Sequence, residues 1–279
     1  MRFGIKTNPQ HTTWPELLAV WQRADANEAI ESAWVFDHFY PIFSDSSGPC
    51  LEGWTLLSAL AHATDRLRIG TMVNGMPYRH PAVTANMAAT VDIISEGRLE
   101  LGLGAGWNQE EAGAYGISLG TTLGERMDIF DEGVEAIVRL LRDEETTLAG
   151  KHVHLTRARC EPKGPQRPHP PIVIGGGGEK RTLRTVAQWA DHWNSIPLEP
   201  EVWVHKRSVL DHHCEAAGRN PTEITTSMLF RLDPDTPDLL AEQTRRFADL
   251  GVELAVVNLP TPHDPHHVDV VGDVAGAVR

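Results

Sequence analysis

Short apolar runs alternate with amphipathic stretches along this chain, and that rhythm limits the fold more than any other feature. The apolar runs fall at residues 2–7, 33–39, 67–73, 98–106, 172–175, 192–196, 224–232 and 254–259. Runs this continuous read as strands buried on both faces, the habit of parallel sheets. Helical patterns fill the intervals at 14–30, 54–63, 81–95, 125–142, 180–190, 201–217 and 239–250, with a weaker helical tail. Pro15 suits a first turn, and Gly97, Gly218 and Gly251 suit helix ends. Met127, Phe130, Val134, Ile137, Val138 and Leu141 make one apolar stripe. Eight β/α units in 279 residues predict a single (β/α)8 TIM barrel over 1–279. A doubly wound sheet is the alternative, but eight units without a domain break favour closure. An insertion at about 145–170 interrupts the rhythm, with a hairpin at 146–148 and 152–156 before a Pro- and Arg-rich loop.

The net charge of −13 argues against nucleic acid or a membrane surface as partner. Cys50, Cys160 and Cys214 are odd in number and widely spaced, so no disulfide framework is expected. Residues 1–6 hold no apolar signal core. No apolar run approaches the roughly 20 residues that span a bilayer. The expected compartment is the cytoplasm.

In a barrel of this kind the active site forms where strands end. Gly175, Gly176, Gly177 and Gly178 follow a short strand and lead into a helix. Backbone amides there can cradle a phosphate, although a loose turn is the alternative. Asp37 and His38 close the second strand, Asn74 the third, and Gly104, Ala105, Gly106 and Trp107 the fourth; Asn194 and Ser195 lie in the sixth. His38 can move a proton near neutral pH, with Asp37 orienting it or holding its charge; a structural staple is the alternative. The glycine turn at 104–106 lets a flat ligand approach backbone, or is simply tight.

Three tempting patterns carry less. Ser118 sits in G-x-S-x-G at 116–120 but lacks the preceding strand of a nucleophile elbow. His212, His213 and Cys214 are neighbours on a helix and point apart. His263, His266 and His267 lie in a Pro-rich tail, and no metal site is expected.

The ordered set 34–39, 67–71, 78–83, 97–108 with Glu111, 125–127, 170–176 and 190–194 resembles the bacterial-luciferase-like superfamily, particularly its coenzyme F420-dependent branch. The resemblance covers nearly the whole chain. It implies a luciferase-like barrel holding a deazaflavin or flavin at its mouth. Gly176, Gly177 and Gly178 would then hold phosphate, with Gly175 leading in. Val73, Asn74, Ala105 and Gly106 would lie against the ring or ribityl chain, and His38 near the redox carbon. It also implies a non-prolyl cis peptide at Met72–Val73 or Val73–Asn74, forming a bulge behind the ring. Ile42 and Trp107 stand where F420-dependent sugar-phosphate dehydrogenases resembling this chain carry Trp and Glu, which argues against a sugar phosphate. Phe39 and Trp107 are expected to wall the substrate pocket. Basic residues at 159–167, with Lys180, Arg181 and Arg184, are set to offset the acidic tail of F420 or to form a solvated loop. The expectation is an F420-dependent oxidoreductase moving hydride to or from a small organic substrate. A homodimer and a reductase regenerating the cofactor are the expected partners. The alternatives are an FMN-dependent two-component monooxygenase and a non-catalytic flavin-binding protein.

Overall fold

The computed structural model describes residues 1–196 and 199–278. The strands are β1 (Arg2–Lys6), β2 (Ser32–Val35), β3 (Arg68–Thr71), β4 (Asn74–Gly75), β5 (Leu99–Gly104), β6 (Thr146–Ala149), β7 (His154–Ala158), β8 (Ile172–Gly175), β9 (His192–Ser195), β10 (Thr225–Arg231) and β11 (Leu254–Asn258). The helices are α1 (Trp14–Asp25), α2 (Gly53–His62), α3 (Pro81–Ile94), α4 (Gln109–Ala114), α5 (Leu123–Arg142), α6 (Thr182–Trp189), α7 (Pro200–Ala217), α8 (Pro237–Asp249) and α9 (His266–Val278).

Eight parallel strands close a barrel in the order β1, β2, β3, β5, β8, β9, β10, β11, and β11 pairs back onto β1. The helices pack outside, and most of the apolar core lies between them and the barrel wall. Inside the barrel a smaller cluster forms around Trp34, Met72, Val173 and Val256. This is the (β/α)8 barrel that the alternation predicts.

Three departures shape the mouth. The second run stops pairing at Val35, so Phe36, Asp37, His38 and Phe39 lie beyond the strand. The third run is broken: β3 pairs Ile69 with Leu99, whereas β4 pairs Asn74 with Leu103. The offset changes by one residue between them, which is a bulge. The Met72–Val73 peptide in that bulge is cis, at the first of the two expected positions. Finally, α4 is a short helix absent from the sequence reading. Asn108 caps it, accepting from the Glu111 amide at 3.2 Å.

The hairpin β6–β7 forms as expected. The basic loop after it does not serve the mouth. It runs from β7 to the start of β8, the last part of the connection from α5 to β8, and a helix-to-strand connection in this barrel runs across the bottom face. Gln166 anchors it there, donating at 2.7 Å both to Asp92 and to the carbonyl of Leu99, the first residue of β5.

Candidate active site

A cavity of about 450 Å³ opens at the C-terminal mouth. Asp37, His38, Val73, Asn74, Ala105, Gly106, Trp107, Gly175 and Gly176, all expected there from sequence, line it together. Gly177 and Gly178 continue from this lining into the turn before α6.

The bulge aims Val73 over the mouth. A Cβ on Gly104 would come within 2.6 Å of a Val73 methyl, and one on Gly175 within 3.0 Å. Glycine at both positions is therefore what gives Val73 its place. Beside it Asn74 is fully buried. Its Oδ1 accepts from the indole of Trp54 at 2.9 Å, which fixes the amide, while its Nδ2 has no partner among the described residues. A buried amide N–H without an acceptor is costly and marks a place for a ligand acceptor.

At β8 the chain turns through Gly176 at φ +118, a conformation that glycine allows. The indole of Trp193 donates to the Gly176 carbonyl at 2.7 Å, and the ammonium of Lys206 to that of Gly177 at 2.7 Å. With both carbonyls tied, the amides of Gly177 and Gly178 meet no acceptor among the described residues. Free amides, a nearby ammonium and the start of α6 suit an anion. The same ammonium also pairs with the Glu179 carboxylate at 3.1 Å, while Arg181 and Arg184 turn to carboxylates of α5: Arg181 to Asp128 and Asp131, and Arg184 to Asp131. Lys206, on α7, has no local motif to advertise it.

His38 is held by Glu111, not by Asp37. The His38 Nδ1 lies 2.6 Å from Glu111 Oε2. The same carboxylate accepts from the Phe39 amide and the Tyr78 hydroxyl. Burial works against ionisation of Glu111, but the donors His38, Tyr78 and Phe39 outweigh it and hold the carboxyl below its ordinary value. An ionised carboxylate only accepts, so Nδ1 carries the proton and Nε2 is the variable nitrogen. Nε2 has no protein partner among the described residues. Asp37 instead takes Arg79 at 2.7 and 2.9 Å and the Gly75 amide at 3.3 Å. Arg79 also reaches Glu52, the N-cap of α2. Burial pushes the Asp37 carboxyl upward against the pull of Arg79. Asp37 therefore ties the strand end to its neighbours, and the orienting role expected of it belongs to Glu111. The signal for Glu111 was the Asn108-x-x-Glu111 capping pattern, which starts a helix and points its N3 carboxylate back toward the mouth.

Phe39 is not a cavity wall. Its ring stands behind the site, 5.0 Å from Tyr78 and 4.7 Å from Tyr115. Phe36 and Ile42 take the wall position. Trp107 lines the cavity as expected and stacks on Phe43 at 5.3 Å, forming an aromatic rim. Ser118 lies in the loop between α4 and α5, where its hydroxyl accepts from the Gly120 amide. Among the described residues no three His, Cys, Asp or Glu side chains are placed to share a metal. No described helix is long and apolar enough to cross a membrane.

A closed parallel barrel with its polar groups gathered at the strand ends defines the class. The family model described as luciferase-like monooxygenase matches residues 1–263, and the chain belongs to that family. It is 30% identical over 274 residues to an F420-dependent glucose-6-phosphate dehydrogenase of Microbacterium testaceum, covering 95% of this chain and 77% of that one. An uncharacterized protein of Mycobacterium tuberculosis is 30% identical over 228 residues, with 79% of this chain and 76% of that one covered. Among solved structures, an F420-dependent secondary alcohol dehydrogenase carrying an F420-acetone adduct superposes with a TM-score of 0.87 at 19% identity, over 100% of both chains. The F420-dependent tetrahydromethanopterin reductase of Methanopyrus kandleri gives 0.81 at 19% identity, over 97% of both. The monooxygenase RslO1 of Streptomyces bottropensis gives 0.77 at 21% identity, over 98% of both. At these identities the structures speak for the fold.

Proposed function

We propose that this protein is an F420-dependent oxidoreductase acting on a small organic substrate. One observation carries the reading: a single mouth joins free amides at β8 to a carboxylate-held imidazole beyond β2. The residues fit the cofactor on their own terms. The Gly177 and Gly178 amides, with Lys206 beside them, would hold its phosphate, and the orphan Nδ2 of Asn74 would meet an acceptor on its ring. When bound, F420 supplies a hydride as a two-electron donor or acceptor.

The chain's own part is binding, water exclusion and proton handling. Glu111 keeps the proton on Nδ1, so that His38 Nε2 gives or takes a proton at the substrate. Phe36, Ile42 and the Phe43–Trp107 rim supply apolar cover that keeps water from the reacting centre. The F420-dependent dehydrogenase relative supports the choice of cofactor. Its sugar-phosphate substrate is not carried over, because Ile42 and Trp107 depart from that pattern.

The test is anaerobic turnover. Protein, reduced F420 and a panel of ketones and activated alkenes should regenerate oxidised F420 with enzyme-dependent kinetics. Turnover only with reduced FMN and oxygen would replace this reading with that of a flavin monooxygenase.

A further inference from the structure

Lys6 is the last residue of β1 and lines the same cavity, on the side away from the glycine turn. We propose that Lys6 is the substrate's anion-binding residue: its ammonium takes the carboxylate of a small apolar acid and seats it beside His38. This rests on the oxidoreductase reading, and it names that reading's substrate class.

The local chemistry is unbalanced. Lys6 is 8% exposed. Its ammonium donates to the side-chain oxygens of Asn8 and, at 3.4 Å, of Asn258, both neutral. It also lies 5.3 Å from the centre of the Phe36 ring. The neighbouring charge that acts on it is Arg231, of the same sign. Burial, reinforced by Arg231, pushes its pKa down to about 7. Its hydrogen-bond partners among the described residues are neutral acceptors, so its protonated form finds no counter-charge there, and an anion in the cavity would supply one and favour the ammonium.

Position separates this cation from the phosphate cradle. Going round the barrel, β2, β3 and β5 stand between β1 and β8 on one side, and β11, β10 and β9 on the other. Lys6 and Gly176 therefore face each other across the mouth. Lys6 is instead next door to His38, whose loop continues β2, and Phe36 packs against both: its ring lies 5.0 Å from that of His38. The cavity wall toward β2 and β10 is apolar, made by Phe36, Ile42 and Leu229. One ammonium beside an apolar wall matches a monocarboxylate with an apolar body. A phosphate dianion, with three acceptor oxygens, would find too few donors there.

The test uses benzoate and its uncharged isostere benzamide as probes, titrated into the purified full chain by ligand-observed NMR. Wild type should prefer benzoate by about tenfold or more. Lys6→Gln should lose the preference, Lys6→Arg should keep it, and F420 binding should match wild type in both. An unchanged preference in Lys6→Gln, or none in wild type, would overturn the proposal. Loss of F420 binding in Lys6→Gln would also overturn it, moving Lys6 to the cofactor. Failure of wild type to bind F420, with a benzoate preference that still depends on Lys6, would sink the oxidoreductase reading and leave the anion site standing.

Discussion

The imidazole of His38 and the carboxylate of Glu111 meet at 2.6 Å beneath the cavity, the carboxylate fully buried and the ring lining the opening. That pairing decides which nitrogen faces the ligand. Replacing the ring (His38→Ala) should lower kcat by about 10²–10⁴-fold, the usual share of a positioned acid or base. The F420 dissociation constant should stay within about threefold of wild type, which is under 1 kcal/mol. Steady-state kinetics with a parallel binding titration separate the two. An unchanged kcat would remove His38 from the chemistry.

Glu111 acts through His38, as a positioning residue. Glu111→Gln keeps the size but frees Nδ1 to change tautomer. A fall in kcat of about 10²-fold is expected, with KM little changed and a shifted kcat–pH profile. A loss of stability with kcat and its pH profile intact would make the contact structural only.

Asn74 is predicted to be a cofactor contact through its unpaired Nδ2. Asn74→Ala should weaken F420 binding by about tenfold, the worth of one hydrogen bond in a dry site. It should also lower the melting temperature, because the Trp54 indole loses its acceptor. Equal F420 affinity in the variant would show that the cofactor does not use this amide.

Val73 and Gly104 are predicted to be coupled. Gly104→Ala puts a methyl 2.6 Å from a Val73 methyl and should cost about 1–3 kcal/mol in chemical denaturation. Val73→Ala in the same chain should recover part of that loss. Additive losses would mean that the bulge moves aside freely.

Inside the barrel, Glu100 accepts from Arg68 and, at 3.1 Å, from His192. Burial opposes its ionisation, but His192 and Arg68 prevail and draw its pKa from 4.5 to about 2. A depressed folded pKa stabilises the native state above the unfolded value, and that stabilisation fades as pH falls through the folded one. Glu100→Gln should therefore cost about 3 kcal/mol at pH 7, by removing the carboxylate that Arg68 and His192 meet. Its deficit against wild type should shrink between pH 4.5 and about 2. Urea unfolding at several pH values measures this, and a deficit independent of pH would contradict the assignment.

What could be read from the sequence follows from range. Strands such as β8 and β11 are apolar on both faces, so their order and number are written locally. The glycine turns at the mouth are equally local. The partner of His38 is not: Glu111 is 73 positions away. Asp37 is adjacent, yet it meets Arg79, itself 42 positions away, and nothing in the local run marks either pairing. The bulge at Val73 depends on pairing with β5, so the family resemblance pointed to it while its own run of residues did not. Basic composition at 159–167 could not reveal which face of the barrel the loop covers. Its place between α5 and β8 does.

Whether this mouth is built for F420 is decided by titrating the purified protein with F420 and, separately, with FMN while following cofactor fluorescence. Saturable F420 binding, far tighter than FMN binding and weakened in Asn74→Ala, is expected. Tight FMN binding with no affinity for F420 would contradict the F420 assignment.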